Sequence, residues 1–225
     1  MCGRFTQQRS EAELAGLFAA EPLGDDPGGH YNVAPTDDAS VIVEKGDRRA
    51  VARYRWGLVP HWAADPSIGS RLINARAETV GSSNAFRESL ARRRCLVPVD
   101  GFYEWRRADG KRQPFLIFAP DGGPLALAGL WSGWHDPDGG EVRRTFTIVT
   151  TAADEFMARI HDRMPVVLPA DAWAAWLDPA LDDPGEAQGI LGRATAVDLA
   201  AHPVSTLVNN VRNDGPELLL HDAWM

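Results

Sequence analysis

The chain has 225 residues, of which 44% are hydrophobic and 24% charged, and its formal net charge at pH 7 is -8. This composition is typical of a globular protein and excludes disordered and fibrous classes, while the length favours a single domain over residues 1–225. No run approaches the roughly 18 consecutive apolar residues of a membrane span, so we expect no membrane partner. The negative charge disfavours binding of a polyanion through the overall field of the protein, so any nucleic acid must be held by a local basic groove.

The cysteine content and the N-terminal segment indicate a reducing compartment. Two cysteines, Cys2 and Cys95, are too few for a disulfide scaffold in a chain of this size. The first residues show no charged segment followed by an apolar stretch, which is the signature of a secretion signal. We therefore expect a cytoplasmic protein in which both thiols are free.

The first predicted element is a helix near the N-terminus. Ser10 and Glu13 have the spacing of a capping box and precede Leu14, Leu17 and Phe18, so a helix is expected to begin there.

Strands are predicted between residues 41 and 150, where short β-prone runs alternate with turn signals. The predicted strands are Val41–Glu44, Ala50–Tyr54, Leu96–Val99, Phe102–Trp105, Phe115–Phe118, Leu125–Leu130 and Phe146–Thr150. Turns at Asp109-Gly110, Asp121-Gly122 and Asp138-Gly139-Gly140 predict an antiparallel meander. Further helical turns are expected over Ala152–Ile160 and Ala170–Leu177, which gives an α+β class around a mostly antiparallel sheet that can close on itself.

The N-terminus carries the first candidate chemistry. Removal of Met1 would leave Cys2 with both an α-amine and a thiol, which titrate near pH ~8 and ~8.5 and are partly available at neutral pH. The amine can form a Schiff base with an aldehyde and the thiol can close a thiazolidine ring, or the thiol can attack a carbonyl as an amidase nucleophile. The alternative is that Cys2 is a small buried hydrophobic residue.

A second candidate is the segment around residues 70–79. Asn74, Arg76 and Glu78 alternate, so in an extended conformation all three lie on one face of a strand and suit an anionic substrate. A solvated edge strand with an ordinary Arg-Glu pair is the competing interpretation.

Two further residues are candidates for proton transfer. Glu104 lies between aromatic residues, and burial there raises the pKa of a carboxyl group into the range of a general acid or base, unless the side chain faces solvent. His161 follows the predicted helix over Ala152–Ile160 and stands beside Arg163, which can hold a phosphate. A histidine that caps the helix C-terminus is the alternative. Cys95 opens an apolar strand and is expected to belong to the core.

Aromatic and basic residues cluster in three other segments, a combination that suits single-stranded nucleic acid. These segments are YNVAPT, which contains Asn32 and Pro35, WGLVPHW, which ends at Trp62, and VNNVRN, which contains Arg212. The spacings of zinc ligands, nucleotide-binding loops and serine-hydrolase elbows are absent from the sequence, so no metal or cofactor is expected.

Taken together, the ordered motifs resemble the SRAP family, the SOS response-associated peptidase-like proteins that crosslink to abasic sites in DNA. The motifs that carry the resemblance are MCGRF, YNVAPT, WGLVPHW, INARAET, RCLVPVDGFYEW, AGLW, FTIVTTAA, IHDRMPVVL and HPVSTLVNNVRND. The resemblance implies a single α+β domain with a β-barrel-like core, peripheral helices and a basic groove for single-stranded DNA. It also implies a role in the DNA damage response as a sensor and shield of abasic sites.

The resemblance further implies roles for individual residues. Cys2, freed by removal of Met1, forms a thiazolidine with the ring-opened abasic aldehyde, assisted by Asn74, Glu104 and His161. Arg4, Arg76 and Arg163 match phosphate-contacting positions, Trp62 and Met164 stack or wedge beside the lesion, and Thr150 is a polar position near the site. With Arg71 added, four local guanidinium groups can neutralise a few phosphates.

Three functions remain open from the sequence. The first is the covalent DNA crosslinker, with a lyase activity that follows from the Schiff base. The second is a thiol peptidase or amidase that uses Cys2. In its most limited form, this activity would remove only Met1 from the protein itself. The third is a non-covalent binder of single-stranded DNA. Nothing in the sequence suggests an assembly interface, so we expect a monomer that associates with the nucleoid when it is bound to DNA.

Overall fold

Two sheets form the framework of the structure, a computed structural model that describes residues 2–108, 110–137, 139–193 and 197–222. The strands are β1 Phe5–Gln7, β2 Ala20–Pro22, β3 His30–Val33, β4 Asp38–Lys45, β5 Arg48–Trp56, β6 Asn74–Arg76, β7 Arg94–Val99, β8 Gly101–Ala108, β9 Lys111–Phe118, β10 Leu125–Trp134, β11 Arg143–Ala152, β12 Arg163–Pro165 and β13 Ala200–Pro203. The α-helices are α1 Glu11–Phe18, α2 Arg87–Arg92, α3 Ala170–Leu177 and α4 Pro184–Arg193. Short 3-10 helices cover Pro66–Arg71, Met157–Arg159, Thr206–Asn209 and Pro216–Leu219.

The larger sheet closes into a barrel. Its strands run in the order β12-β11-β10-β7-β4-β5-β2, and β11 returns to pair with β5 in parallel through Thr145 with Arg55 and Phe146 with Trp56. The closed ring therefore consists of β4, β5, β7, β10 and β11. The second sheet has the order β13-β9-β8-β1-β3. The predicted α+β class with a mostly antiparallel, barrel-like core is confirmed.

Side-chain alternation along the barrel strands produces two apolar clusters. Inward-facing residues such as Val41, Cys95 and Phe146 join Phe5 and Phe102 of the second sheet in one core. Residues one position away, such as Ile42 and Leu96, face outward and are covered by the helices. The barrel strands are thus buried on both faces, which explains their nearly continuous hydrophobic runs.

The helix predictions are confirmed at two places and wrong at one. Ser10 caps α1 with both bonds of the capping box, and α3 has the predicted bounds. Ala152–Ile160 is not a helix of two turns, because β11 extends to Ala152 and a 3-10 helix covers Met157–Arg159 alone. Pairing of β11 with β12 and β6 extends the strand and overrides the local helical preference.

The meander prediction is correct in part. Strands β8 and β9 form a hairpin, as do β10 and β11, although Asp109 and Asp138 of the predicted turns lie outside the described residues. The Asp121-Gly122 turn does not join two paired strands, since β9 belongs to the second sheet and β10 to the barrel. A turn signal marks a reversal, but it does not specify which sheet the next strand enters.

A close approach of two glycines brings the segment before β6 against the barrel. Gly57 has a φ of +121°, and a Cβ added at Gly69 would lie 2.6 Å from the Gly57 carbonyl oxygen. Glycine at both positions lets the 3-10 helix Pro66–Arg71 lie beside Trp56, from where the chain enters β6. Within the described ranges, no helix is long and apolar enough to cross a membrane.

Candidate active site

The N-terminal segment lies in the interior of the molecule, between the two sheets. Strand β1 is inserted between β3 and β8, and Phe5 packs against Trp56 with ring centroids 5.0 Å apart. Cys2 is fully buried, and its carbonyl oxygen accepts a hydrogen bond of 2.8 Å from Nδ2 of Asn74. This bond fixes Cys2 through its backbone and leaves the thiol available for contact with other groups.

Strand β8 brings a buried carboxyl group to the same place. Glu104 is 2% exposed, and its burial raises its pKa to about 7. Burial also raises the pKa of the Cys2 thiol, and the neighbouring charge of Glu104 raises it further. The arrangement at neutral pH is therefore a thiol beside a carboxyl group that can either donate or accept a proton.

His161 is the third titratable group of the cluster. Its Nε2 lies 4.0 Å from Oε2 of Glu104, and its backbone N–H donates to the carbonyl oxygen of Met157, the first residue of the 3-10 helix. Nδ1 lies 3.0 Å from the backbone N–H of Arg163 and 2.9 Å from Oδ1 of Asp162, while Nε2 faces Glu104. Burial lowers the pKa of His161, so the ring is neutral at pH 7.

Asn74 presents an additional acceptor. Its Oδ1 is buried and has no hydrogen-bond partner among the described residues, although Nδ2 is bonded to Cys2. A buried amide oxygen without a partner costs free energy, and such atoms concentrate where a ligand or water completes the bonding. The geometry brings together all four predicted catalytic residues, Cys2, Asn74, Glu104 and His161.

Arg163 and Thr150 lie at the edge of this cluster. The guanidinium of Arg163 makes a two-pronged contact with Glu78, with N–O distances of 2.7 and 2.9 Å, and donates to the carbonyl oxygen of Thr150 at 2.8 Å. Thr150 is fully buried, and it pairs with Arg76 of β6, whose side chain is exposed. Arg76 and Arg163 thus come from two strands that flank β11.

The prediction that Asn74, Arg76 and Glu78 share one strand face is wrong for Glu78. Strand β6 ends at Arg76, and the chain turns through a bond from the Thr79 N–H to the Arg76 carbonyl oxygen. Glu78 therefore leaves the strand and binds Arg163, which holds the pKa of Glu78 below its usual value. Sequence reasoning missed this pair, because the two residues are distant in the chain and no local pattern connects them.

Arg4 and Asn32 organise a second part of the surface. Arg4 donates 2.7 Å hydrogen bonds to Oδ1 of Asn32 and to the Val208 carbonyl oxygen, and its guanidinium lies over the ring of Trp105. Asn32 is buried, and its Nδ2 donates to carbonyl oxygens of the segment 208–213. Asn32 thus anchors the loop that carries the exposed Arg212, rather than facing solvent itself.

The remaining predicted binding residues lie around this region. Pro35 is half-buried between β3 and β4, Trp62 is 53% exposed in the turn after β5, and Met164 is half-buried on β12. Arg71 is exposed at the end of a 3-10 helix, three residues before Asn74. Cys95, expected in the core, is fully buried there.

Comparison with known proteins agrees with the motifs. Residues 1–211 match the family model described as SOS response associated peptidase (SRAP). The abasic site processing protein YoqW of Bacillus subtilis is 40% identical over 222 residues, which cover 97% of this chain and 99% of that protein. The abasic site processing protein YoaM of the same bacterium is 41% identical over 224 residues, which cover 97% of each.

A solved structure supports the fold. The crystal structure of a protein from Bacteroides thetaiotaomicron superimposes with a TM-score of 0.84 at 24% sequence identity, covering 98% of this chain and 99% of that one. At this identity the likeness concerns the fold alone. The ordered motifs, the match over residues 1–211 and the two relatives establish that this chain belongs to the SRAP family.

Proposed function

We propose that this protein senses and shields abasic sites in single-stranded DNA by forming a covalent thiazolidine between Cys2 and the ring-opened abasic sugar. The observation that carries the proposal is the burial of Cys2 beside Glu104, Asn74 and His161. The names of the relatives YoqW and YoaM, abasic site processing proteins, support it. An abasic sugar exposes an aldehyde when its ring opens, and an aminothiol traps aldehydes.

The reaction begins with the release of Met1, which frees the α-amine of Cys2. The Cys2 thiol can attack the carbonyl carbon of Met1, which forms a thioester as the peptide C–N bond breaks, and Glu104 or His161 transfers the thiol proton to the departing amine. Water then hydrolyses the thioester, which releases methionine and restores the thiol, so the step is a thiol autopeptidase activity. Residue 1 itself lies outside the described residues. Because the Asn74 bond holds the carbonyl of Cys2, the residue stays in place after the cleavage.

The crosslink then forms in two additions. The amine adds to the aldehyde carbon, and loss of one water leaves an imine. The thiol adds across the imine, its sulfur to carbon and its proton to nitrogen, so the net reaction joins aminothiol and aldehyde with release of one water. Since burial raises the pKa of the thiol, the thiol is neutral at pH 7, and the amine acts first.

Glu104 and His161 supply the protons for these steps. A carboxyl group with a pKa of about 7 can protonate the ring oxygen of the sugar as the ring opens and then accept the proton again. The imine also acidifies the neighbouring carbon of the sugar, so removal of that proton by the same groups would produce strand cleavage, which is the lyase activity. Thiazolidine closure competes with this cleavage.

The DNA strand is held by the surrounding cations and aromatic surface. Arg4, Arg71, Arg76, Arg163 and Arg212 contact phosphates. Trp62, Met164 and Pro35 pack beside the lesion, and Asn32 and Thr150 position Arg4 and Arg163. Contacts of this kind do not read base edges, so little sequence preference is expected. The protein acts as a monomer in the cytoplasm, on DNA of the nucleoid.

Intact mass spectrometry after incubation with a single-stranded oligonucleotide containing one abasic site tests the proposal. We expect a chain without Met1 that gains one oligonucleotide, with the attachment at residue 2, and the same result for Cys95→Ser. Cys2→Ser should give no stable adduct. An adduct that persists in Cys2→Ser would exclude the thiazolidine. Absence of any adduct with the wild-type protein would instead favour the peptidase or non-covalent binding.

A further inference from the structure

A cleft lies beside the closure of the barrel, away from Cys2. Strands β5 and β11 pair at Arg55 with Thr145 and at Trp56 with Phe146. A cleft of about 860 Å³ is lined by the residues of β5 and β11 that precede these two pairs. Residues of β4 and Trp131 of β10 also line it. Inward-facing residues such as Ala52 and Tyr54 form part of its lining. We call this feature the arginine cleft.

The arginine cleft is positively charged, in contrast to the protein as a whole. Its cations are Lys45, Arg53, Arg55, Arg143 and Arg144, against two carboxylates, Asp38 and Glu44. The four guanidinium groups make no ion pair with a described carboxylate, whereas elsewhere Arg48 pairs with Glu21 and Arg93 with Glu88. On a chain of net charge -8, such a cluster of unpaired arginines raises the local concentration of anions.

Aromatic rings lie among these cations. Tyr54 and Trp131 line the cleft with ring centroids 5.5 Å apart, and the guanidinium of Arg143 lies 5.5 Å from the ring of Trp134. Guanidinium groups beside aromatic faces bind single-stranded nucleic acid without regard to sequence. The chemistry of the cleft therefore matches a phosphodiester strand.

An adjoining depression connects the arginine cleft with the loops that follow Pro35 and precede Arg212. Arg53 and Arg55 also line this depression, together with Thr36 and Val211. Three carboxylates, Asp37, Asp38 and Asp214, belong to the same lining, so the positive charge is concentrated in the cleft itself. On β11, the partners of Arg55 and Arg76 are five residues apart, about 17 Å at the rise of an extended strand. Because five is an odd number, Arg55 and Arg76 project from opposite faces of the sheet, so a strand that passes Arg76 must bend around the barrel to reach the cleft.

We propose that the arginine cleft binds the phosphodiester backbone of one flank of the DNA strand, several nucleotides from the abasic sugar. The inference rests on the proposed function, because it takes single-stranded DNA as the ligand. It adds a second anchoring site that affects the affinity for long strands and leaves the chemistry at Cys2 unchanged.

The test compares short and long oligonucleotides with a charge-matched pair of variants. Arg55→Gln/Arg144→Gln removes two cleft cations, and Arg87→Gln/Arg92→Gln removes two exposed cations of α2. Fluorescence anisotropy measures the Kd for strands of about 4 and about 16 nucleotides, spanning the usual site sizes for single strands. Each strand carries a tetrahydrofuran abasic analogue, which has no aldehyde, and the long strand is extended on either the 5′ or the 3′ side.

We expect the cleft variant to bind one of the two long strands about 5- to 10-fold more weakly than wild type. The slope of log affinity against log salt should become shallower by about 1.4, as for two lost contacts to a single strand. The short strand and the α2 variant should behave as wild type. Equal weakening of short and long strands, or a loss shared by the α2 variant, would overturn the proposal.

A separate measurement distinguishes this proposal from the proposed function. Crosslinking of the short strand with a true abasic site should proceed at the wild-type rate in the cleft variant. Suppose that wild type forms no adduct with any strand, but the cleft variant still binds long strands more weakly and short strands normally. The crosslinking function is then excluded, and the assignment of the cleft as a binding site stands. If adducts form and length has no effect on affinity, the cleft assignment fails alone.

Discussion

Cys2 and Cys95 share burial and the same apolar core, yet their surroundings differ. Both side chains are fully buried, and burial raises the pKa of both thiols. Cys95 lies on β7 opposite Gly129, and its carbonyl oxygen accepts a hydrogen bond from Trp176. Cys2 lies beside Glu104 and Asn74, with His161 next to Glu104. A buried thiol is inert by itself, so the polar neighbours distinguish a reactive position from a packing position.

The largest expected effect concerns Glu104, the carboxyl group that distinguishes the surroundings of Cys2 from those of Cys95. Glu104→Gln should slow crosslinking about 100-fold or more, because proton transfer by a positioned side chain contributes at least that factor. Since the pKa of Glu104 is raised to about 7, the group is protonated below that pH, and the wild-type rate of acid-assisted ring opening should fall as pH rises through about 7. Initial rates of adduct formation across this range measure the effect.

A pH profile that keeps its inflection near 7 in Glu104→Gln would contradict this role.

Stability gives an independent readout of the same group. The folded protein holds a proton on Glu104 at pH values where the unfolded chain has lost it, so the contribution of Glu104 to stability should decline from about pH 4.5 to about 7. Glu104→Gln should lack this decline, and thermal unfolding at several pH values would show it.

The second effect concerns the packing of Cys95. A Cβ added at Gly129 would lie 2.7 Å from the Cys95 sulfur and 2.9 Å from Cγ2 of Val97. Gly129→Ala should therefore lower the free energy of unfolding by about 1–3 kcal/mol, the usual cost of overpacking. Urea unfolding measures this loss. Under conditions in which Gly129→Ala is folded, the variant should still crosslink to abasic DNA. If Gly129→Ala left the free energy of unfolding unchanged, this would show that β7 and β10 can move apart to make room for the added methyl group.

The third effect concerns the residue that holds Arg163. Glu78→Ala removes the two-pronged contact and leaves Arg163 held by its bond to the Thr150 carbonyl oxygen and by the pairing of β12 with β11, which loosens the segment that contacts His161. We expect crosslinking to slow about tenfold through misplacement of that ring, with less change in DNA affinity. Glu78→Gln, which can still accept from Arg163, should recover part of the rate. Equal crosslinking rates in Glu78→Ala and wild type would show that Arg163 does not need the ion pair with Glu78.

The smallest effect is expected for removal of the Cys95 thiol. Cys95→Ala deletes one buried atom and leaves a small cavity, which should cost about 1 kcal/mol and leave adduct formation unchanged. Combined with Gly129→Ala, it should cost less than the sum of the two single changes, because the close contact at the sulfur is gone. Additive costs in the double variant would mean that the contact with Val97 dominates.

Much of the fold could be predicted from local patterns. Every predicted strand between residues 41 and 150 lies within an observed strand, because β-branched and aromatic runs bounded by Gly and Asp signal strands directly. The error over Ala152–Ile160 came from pairing with β6 and β12, which extends β11 beyond its local preference. Closure of the barrel depends on β5 meeting β11, a contact between residues about 90 positions apart that no local pattern encodes.

The sequence by itself determined the residue types of the candidate site, since an N-terminal Cys, a Glu among aromatics and a His before Met-Pro are local features with recognisable chemistry. It also determined the family, through motifs that keep their order along the chain. The tertiary structure alone decided that Glu104 is buried, that Asn74 holds Cys2 and that Glu78 holds Arg163. Burial and long-range hydrogen bonds depend on which strands become neighbours, and that outcome follows from packing of the whole chain rather than from any one segment.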